Sequence, residues 1–350
     1  MPEPNAFAAE LLEASASGIA AAATHRLLDG DPAPQSNLGA SAGTSWRSYY
    51  VQRLLELAAA LRIGRPEAFS ARALWQYQAF LARRLDVADV ALSLARLKAA
   101  VLEELPEEHA TTVGAYIEHA LTALSDGVAP DATELDPSDP AGAVALTYLA
   151  ACLEGNPKRA TATVLEYAGR SGSLESTYLD ILFPSLREIG RMWHGAEATV
   201  AEEHIVTETT RRLMALLTAQ LSKTAEVGKT VVTAAVAGNA HDIGVRAVAD
   251  FFEAAGWRSL SLGPNVPPAD IANAVQYFDA DLIVLAATLT TQIKSLEASI
   301  AAVRSMGDRD VKILVGGLAL DEAPDLWQQL GADAYAAAGN AVEVGTAVVA

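Results

Sequence analysis

Six histidines occur in this chain, and three of them, His194, His204 and His241, stand in company that could do chemistry. His241 lies in Asn239-Ala240-His241-Asp242-Ile243-Gly244, directly after the apolar run 230–237. A histidine on the loop leaving a strand has a metal ligand's placement, and neutral imidazole suits a transition metal. Asn239, two positions before it, is placed to accept the other ring proton and fix the tautomer. Gly244 lets the next helix start with no side chain in the way of a large ligand. The competing reading of the same six residues is a polar turn that caps a helix, with Asn239 or Asp242 satisfying backbone donors and His241 incidental. Upstream, nine residues, 194–202, the first of them His194, separate Trp193 from Glu203-His204. Here too a plainer reading stands alongside: a core tryptophan at a helix end, then acidic residues whose charge suits the first turns of the next helix. His25, His109 and His119 lack metal-ligand spacing and read as solvated or core-satisfied residues.

The elements around these residues decide what they can face. Leu182, Leu186, Ile189 and Trp193 recur at helical spacing, Gly195 stops that helix, and another runs from about Ala198 to Leu221. Trp193 and the Glu203-His204 pair therefore sit near one end of an antiparallel helix pair. After the His241 loop come a helix ending at Gly256, strand 258–262, a helix from about Pro268 and strand 281–287. A third helix, strand 311–315 with Gly316-Gly317, a fourth helix and a short strand 333–336 follow. Five strands alternating with helices predict a parallel, doubly wound, Rossmann-like sheet of the flavodoxin type, with ligands at the carboxyl ends of its strands. Helices near 141–154, 157–170, 173–194 and 198–222 predict a four-helix bundle ahead of that sheet. The stretch 125–140 is rich in proline, aspartate and alanine and reads as a linker. Before it, 5–125 is helical, with an apolar stripe of Val87, Val90, Leu94, Leu97 and Val101 and a polar loop at 29–44. The expected organisation is an all-α domain at 1–125, linker 126–140, bundle 141–225 and α/β domain 229–350.

The pattern Asp/Asn-x-His-x-x-Gly after a first strand, together with Leu262-Gly263-Pro264-Asn265-Val266-Pro267 after the second, resembles the signature of cobalamin-binding domains. That resemblance implies that His241 ligates cobalt from below. It also places Asn239, Asp242, Ile243, Gly244, Leu262, Gly316 and Gly317 around the cofactor. Two positions depart from it: Asn239 stands where aspartate is common, and Ala287 where many members have a serine. Thr288, Leu289 and Thr290 are the residues available to contact the cofactor's nucleotide there. The Trp193, Glu203 and His204 spacing resembles the adenosyl-capping motif of the CarH-like cobalamin photoreceptors, in which a bundle covers the upper face. Carried over, Trp193 packs on the adenosyl group, Glu203 and His204 bond or shield it, and His194 becomes an upper cobalt ligand after light has removed it.

A helical region ahead of such a sensor resembles photocobilins, which hold biliverdin as well as cobalamin. Trp46, Tyr49, Tyr50, Trp75 and Tyr77 are candidates to stack on that chromophore, and Arg47, Arg53, Arg83 or Arg84 to pair its propionates. The alternative is an ordinary helix-packing surface.

Composition narrows the classes further. At 350 residues with a net charge of −18 and a pI near 4.7, the chain argues against direct nucleic-acid contact and anionic membranes. Cys152 is the one cysteine, so no intrachain disulfide forms. No basic signal-peptide start precedes an apolar run, and the apolar stretch 141–153 is too short to span a bilayer, so the expected location is cytoplasmic. The expectation is a light sensor, with no catalytic effector domain, in which loss of the adenosyl group changes homo-oligomeric assembly or contact with an effector protein. The alternative is a corrinoid carrier of a methyltransferase system. An adenosylcobalamin isomerase would need a substrate barrel that the sequence lacks.

Overall fold

The computed structural model describes residues 3–30, 42–127, 132–221, 224–307, 310–321, 323 and 325–350. Most of the polar loop read at 29–44, and positions 128–131 of the linker, lie outside the described residues. The chain divides into two units, Met1–Pro130 and Asp131–Ala350.

The first unit is all helical: α1 (Glu3–Gly30), α2 (Ala42–Ile63), α3 (Pro66–Ala82), α4 (Ala88–Glu104) and α5 (Glu107–Ser125). By length and composition α1 is apolar enough over Asn5–Asp29 to cross a membrane. Within the unit it packs on α2 and α4, which buries Leu12, Ile19 and Leu27. The stripe read on α4 points inward at Val90, Leu94, Leu97 and Val101, all of them fully buried.

The second unit joins a helical cap to an α/β domain. Cap helices α6 (Pro140–Leu153) and α7 (Pro157–Ser171) each begin with proline after a capping Asp139 or Asn156, a start that spares an unpaired backbone donor. The third cap helix is not uniform. A first turn at Leu174–Thr177 opens into a π turn at Tyr178–Leu182 before α8 (Phe183–His194) continues. Pro184 explains the wide turn, since its ring has no N–H to donate and would strike the carbonyl four residues back. The fourth, α9 (Val200–Thr218), begins with a capping box in which Thr199 and Glu202 satisfy each other's backbone donors. Residues 132–139, read as linker, lie against the cap, with Leu135 buried in its core.

The α/β domain has β1 (Thr230–Ala235), α10 (Ile243–Ala254), β2 (Arg258–Ser261), α11 (Pro268–Tyr277), β3 (Leu282–Ala286), α12 (Ile293–Arg304), β4 (Lys312–Gly316), β5 (Ala334–Tyr335) and α13 (Ala341–Val349). All pairings are parallel, in the order β2-β1-β3-β4-β5. This is the flavodoxin order predicted from the alternation of elements. Where a single longer helix was expected after Gly317 there are two short ones, Leu318–Asp321 and Leu326–Gln329. The cap core of Tyr148, Tyr178, Val206 and Leu213 continues into Ala247 and Phe251 of α10, so the two parts of this unit share apolar packing.

Candidate functional site

In the order β2-β1-β3-β4-β5 the winding reverses between β1 and β3, and the loops leaving those two strands part there to leave a crevice. The chain puts its histidine loop on one side of that crevice and Thr288-Leu289 on the other. His241 is exposed at this edge, one residue before Asp242, the N-cap of α10. Asn239 is fully buried, and both ends of its amide are used: Oδ1 accepts from the His241 backbone N–H at 3.0 Å, and Nδ2 donates to the Ala286 carbonyl at 3.0 Å. Asn239 was expected to support the imidazole ring. In this structure it shapes the backbone that carries the ring instead.

Asp242 is nearly as buried and is held from two sides. Arg211 of α9 donates to its Oδ1 at 2.7 Å, and Arg246 of α10 to its Oδ2 at 3.2 Å. Burial pushes the Asp242 carboxyl up, but the two guanidinium groups outweigh it and hold the group below the usual carboxylate range. Gln292 fastens the two loops together. Its Oε1 accepts from the backbone N–H of Thr288 at 2.8 Å and of Leu289 at 3.0 Å, and its Nε2 donates to the Gly238 carbonyl at 3.2 Å. Thr290 is buried beside it, Thr288 half-buried and Leu289 exposed. The Gly316-Gly317 turn closes the edge on the far side. A Cβ on Gly317, which has φ +101°, would lie 2.3 Å from the Ala287 carbonyl oxygen, and one on Gly316 would lie 2.6 Å from that of Ala336. Gly244, like Gly238 and Gly263, has open space where a Cβ would stand. Ile243 and Leu262 are half-buried, and Leu318, just past the glycine pair, is an exposed apolar side chain.

At the cap, the paired motifs come to the facing ends of α8 and α9. Trp193 is half-buried in the last turn of α8 and His194 is buried at its end. Gly195, read as the stop, keeps an ordinary φ of −72°. The left-handed residue is Ala196 at φ +56°, a conformation that costs a residue with a Cβ roughly 1–2 kcal/mol. Arg191 holds this turn in place, bonding Glu188 at 2.8 Å and Glu197 at 2.8 Å. Its bonds hold the Glu197 carboxyl below the usual range. On α9, Glu203 accepts from His204 Nδ1 at 2.5 Å and from Thr207 Oγ1 at 2.7 Å, with the imidazole largely in solvent.

The donor set tests what this site can hold. Among the described residues no group of three or more His, Cys, Asp or Glu side chains is arranged for a metal ion. One exposed imidazole cannot retain a bare transition metal against water, but it can complete a metal that arrives in a macrocycle with an axial position free. Open glycines and exposed Leu289 and Leu318 at the same edge suit a broad, partly apolar ligand. The residues fit a corrinoid.

In the first unit, Trp46, Tyr49 and Tyr50 are brought together by packing on one another. Trp46 and Tyr49 meet edge to face at 5.1 Å, and Tyr50 donates to the Ser93 carbonyl at 3.1 Å. Trp75 and Tyr77 are half-buried on α3. Arg53 pairs with buried Glu56 at 2.8 Å, Arg47 donates to Ser17, and Arg83 donates to the Ala79 carbonyl of its own helix. Arg84 has φ +57° after the end of α3.

Comparison with known proteins agrees with the site's chemistry. Residues 229–344 match the B12 binding domain family, and residues 145–218 match a second B12 binding domain family. A dimethylamine corrinoid protein of Methanosarcina barkeri is 33% identical over 108 residues, covering 30% of this chain and 49% of that protein. The HTH-type transcriptional repressor CarH of Myxococcus xanthus is 29% identical over 141 residues, covering 40% of this chain and 46% of the repressor. The chain thus spans about half the length of each of these relatives. In fold, it is similar to the Methanosarcina barkeri monomethylamine corrinoid protein, with a TM-score of 0.50 and 22% identity over 57% of this chain and 96% of that one. The cap and the α/β domain thus each match a B12 binding domain family.

Proposed function

We propose that the chain holds a cobalamin at the carboxyl edge of its sheet, with His241 beneath the cobalt and the ends of α8 and α9 above it, and that it serves as a corrinoid carrier. In this reading it presents the cofactor's upper face to a partner protein and catalyses nothing alone. The observation that carries the reading is the lone exposed imidazole at the switch point of the sheet, with a separate helical cap tied to the same loop. The relatives named as corrinoid proteins support the carrier. Bound cobalamin would supply a cobalt that takes up and releases an upper carbon ligand. This chain's residues supply the rest: Asn239 and Gln292 fix the loops, and Arg211 and Arg246 keep Asp242 ionised.

One feature favours a second reading, a light sensor. The Trp193, Glu203 and His204 spacing resembles that of an adenosyl cap, and CarH is among the relatives. His204 and Thr207 hold the Glu203 carboxylate in place at this end of α9, and Trp193 is half-buried in the last turn of α8. In that reading Trp193, Glu203 and His204 would hold adenosylcobalamin, whose cobalt–carbon bond would supply the light sensitivity, His194 would be the upper nitrogen donor in the light state, and homo-oligomeric assembly or an effector contact would change, in a cytoplasmic setting. Biliverdin bound by the first unit would be its second chromophore. That part would show as a red-absorbing band on adding biliverdin, and no band would reject it.

One experiment separates the two readings. Protein loaded in the dark with adenosylcobalamin or methylcobalamin is illuminated with green light and followed by absorption and size-exclusion mass. The carrier holds both forms comparably and keeps its mass. The sensor prefers adenosylcobalamin, loses that preference in Trp193→Ala and changes mass on illumination.

A further inference from the structure

Among the described residues, polar ties fasten the cap to the α/β domain at α10 and at its N-cap, Asp242. At one, the Tyr178 hydroxyl, in the π turn, donates to Asp250 at 2.8 Å, and the Tyr178 ring packs 5.5 Å from Phe251. At the other, Arg211 reaches from α9 to Asp242, the residue beside His241. Arg211 lies about two turns beyond Glu203 and His204, so a single rigid helix carries both the upper-face residues and the arm that holds the lower loop.

Asp242 is buried, with 3% of its side chain exposed, and loses half of its charge partners if α9 withdraws. A buried carboxylate stripped of a partner is costly, so the loop cannot stay as it is while α9 moves. The Glu208 carboxylate, 2.5 Å from the other Arg211 amino group, steers the guanidinium so that one arm faces each carboxylate. This geometry is more than packing: Arg211 joins two surfaces that would grip opposite faces of one ligand.

We propose that Arg211 is a positioning residue that couples the two faces of the bound corrinoid, so that the cap's hold above the cobalt and the His241 hold below it are energetically linked. Linkage of this kind is reciprocal: a lesion above must alter the worth of the ligand below by the same factor as the reverse. The proposal rests on the cobalamin reading above.

The test is a mutant cycle on the full chain, with adenosylcobalamin in the dark as the probe and dissociation constants from equilibrium dialysis. Trp193→Ala, His241→Ala and the double variant are measured with Arg211 present and again with Arg211→Gln. With Arg211, the double variant departs from the product of the single effects by about five-fold or more. In Arg211→Gln the departure falls below about two-fold. Arg211→Lys, which keeps the charge but not the fork, gives an intermediate value. Arg187→Gln, which removes an exposed pair with Glu134, leaves the departure as it was. Multiplicative effects in the presence of Arg211, or equal departures with and without it, would overturn the coupling. If wild-type protein binds no adenosylcobalamin, the cobalamin reading itself fails. Tight binding with multiplicative lesions removes only the coupling.

Discussion

At the scale of single residues, the site depends on side chains whose work is local and severe. Gly317 is the plainest case, because its φ of +101° and the 2.3 Å approach of the Ala287 carbonyl leave no room for even a methyl group. Gly317→Ala should destabilise the second unit by about 2 kcal/mol or more, from steric overlap added to left-handed strain. A denaturant midpoint within error of wild type would contradict it. His241 and the glycine pair were legible in the sequence because motifs fix them at known offsets from a strand. Gln292 was not. It sits amid polar and apolar neighbours with no periodic or motif signal, and its value comes from three backbone groups on two loops that only the fold brings together. Arg211 was missed for the same reason, since its partner Asp242 lies 31 positions away. The role read for Asn239 differed because a buried amide first satisfies the backbone around it.

At the scale of elements, the alternation of apolar runs and turn glycines made the sheet legible, including its order, since five βα repeats have few ways to wind. The helix α13 was not read. Its sequence, AVEVGTAVV, is apolar almost throughout, so neither helical nor strand periodicity stands out. The π turn in the third cap helix was also invisible, because the apolar spacing continues through it, and only Pro184 gives a reason for it. That turn places Tyr178 against Asp250, whose carboxyl is raised mainly by burial. A carboxyl raised in the folded state favours folding most below its ordinary pKa, and that contribution is lost as pH rises through the folded value. The contribution of Asp250 to the stability of the second unit should therefore decline from the ordinary carboxylate range upward. Asp250→Asn, which still accepts the Tyr178 hydroxyl, should flatten the decline. Chemical melts from pH 4 to pH 8 check this, and parallel curves for wild type and variant would count against it.

At the scale of the whole molecule, the two B12 binding domain matches both fall in the second unit, together with every residue assigned to the cofactor. Protein lacking residues 1–130 should then bind cobalamin within about three-fold of the full chain, a difference below 1 kcal/mol. A loss of ten-fold or more would mean that the first unit takes part in the site. The first unit's use was the least legible from sequence, because its aromatic and arginine residues serve both for stacking a chromophore and for packing helices. In the fold, Trp46, Tyr50 and Arg53 are buried among their own neighbours. The central claim, that this chain is a cobalamin-binding protein with His241 beneath the metal, is tested most directly by the absorption spectrum of protein reconstituted in the dark. Wild type should retain cobalamin through gel filtration with a spectrum of nitrogen-ligated cobalt. His241→Ala should lose that ligation and bind on the order of ten-fold or more weaker, the scale on which metal-site lesions act. Identical spectra and equal retention in the two proteins would contradict the account.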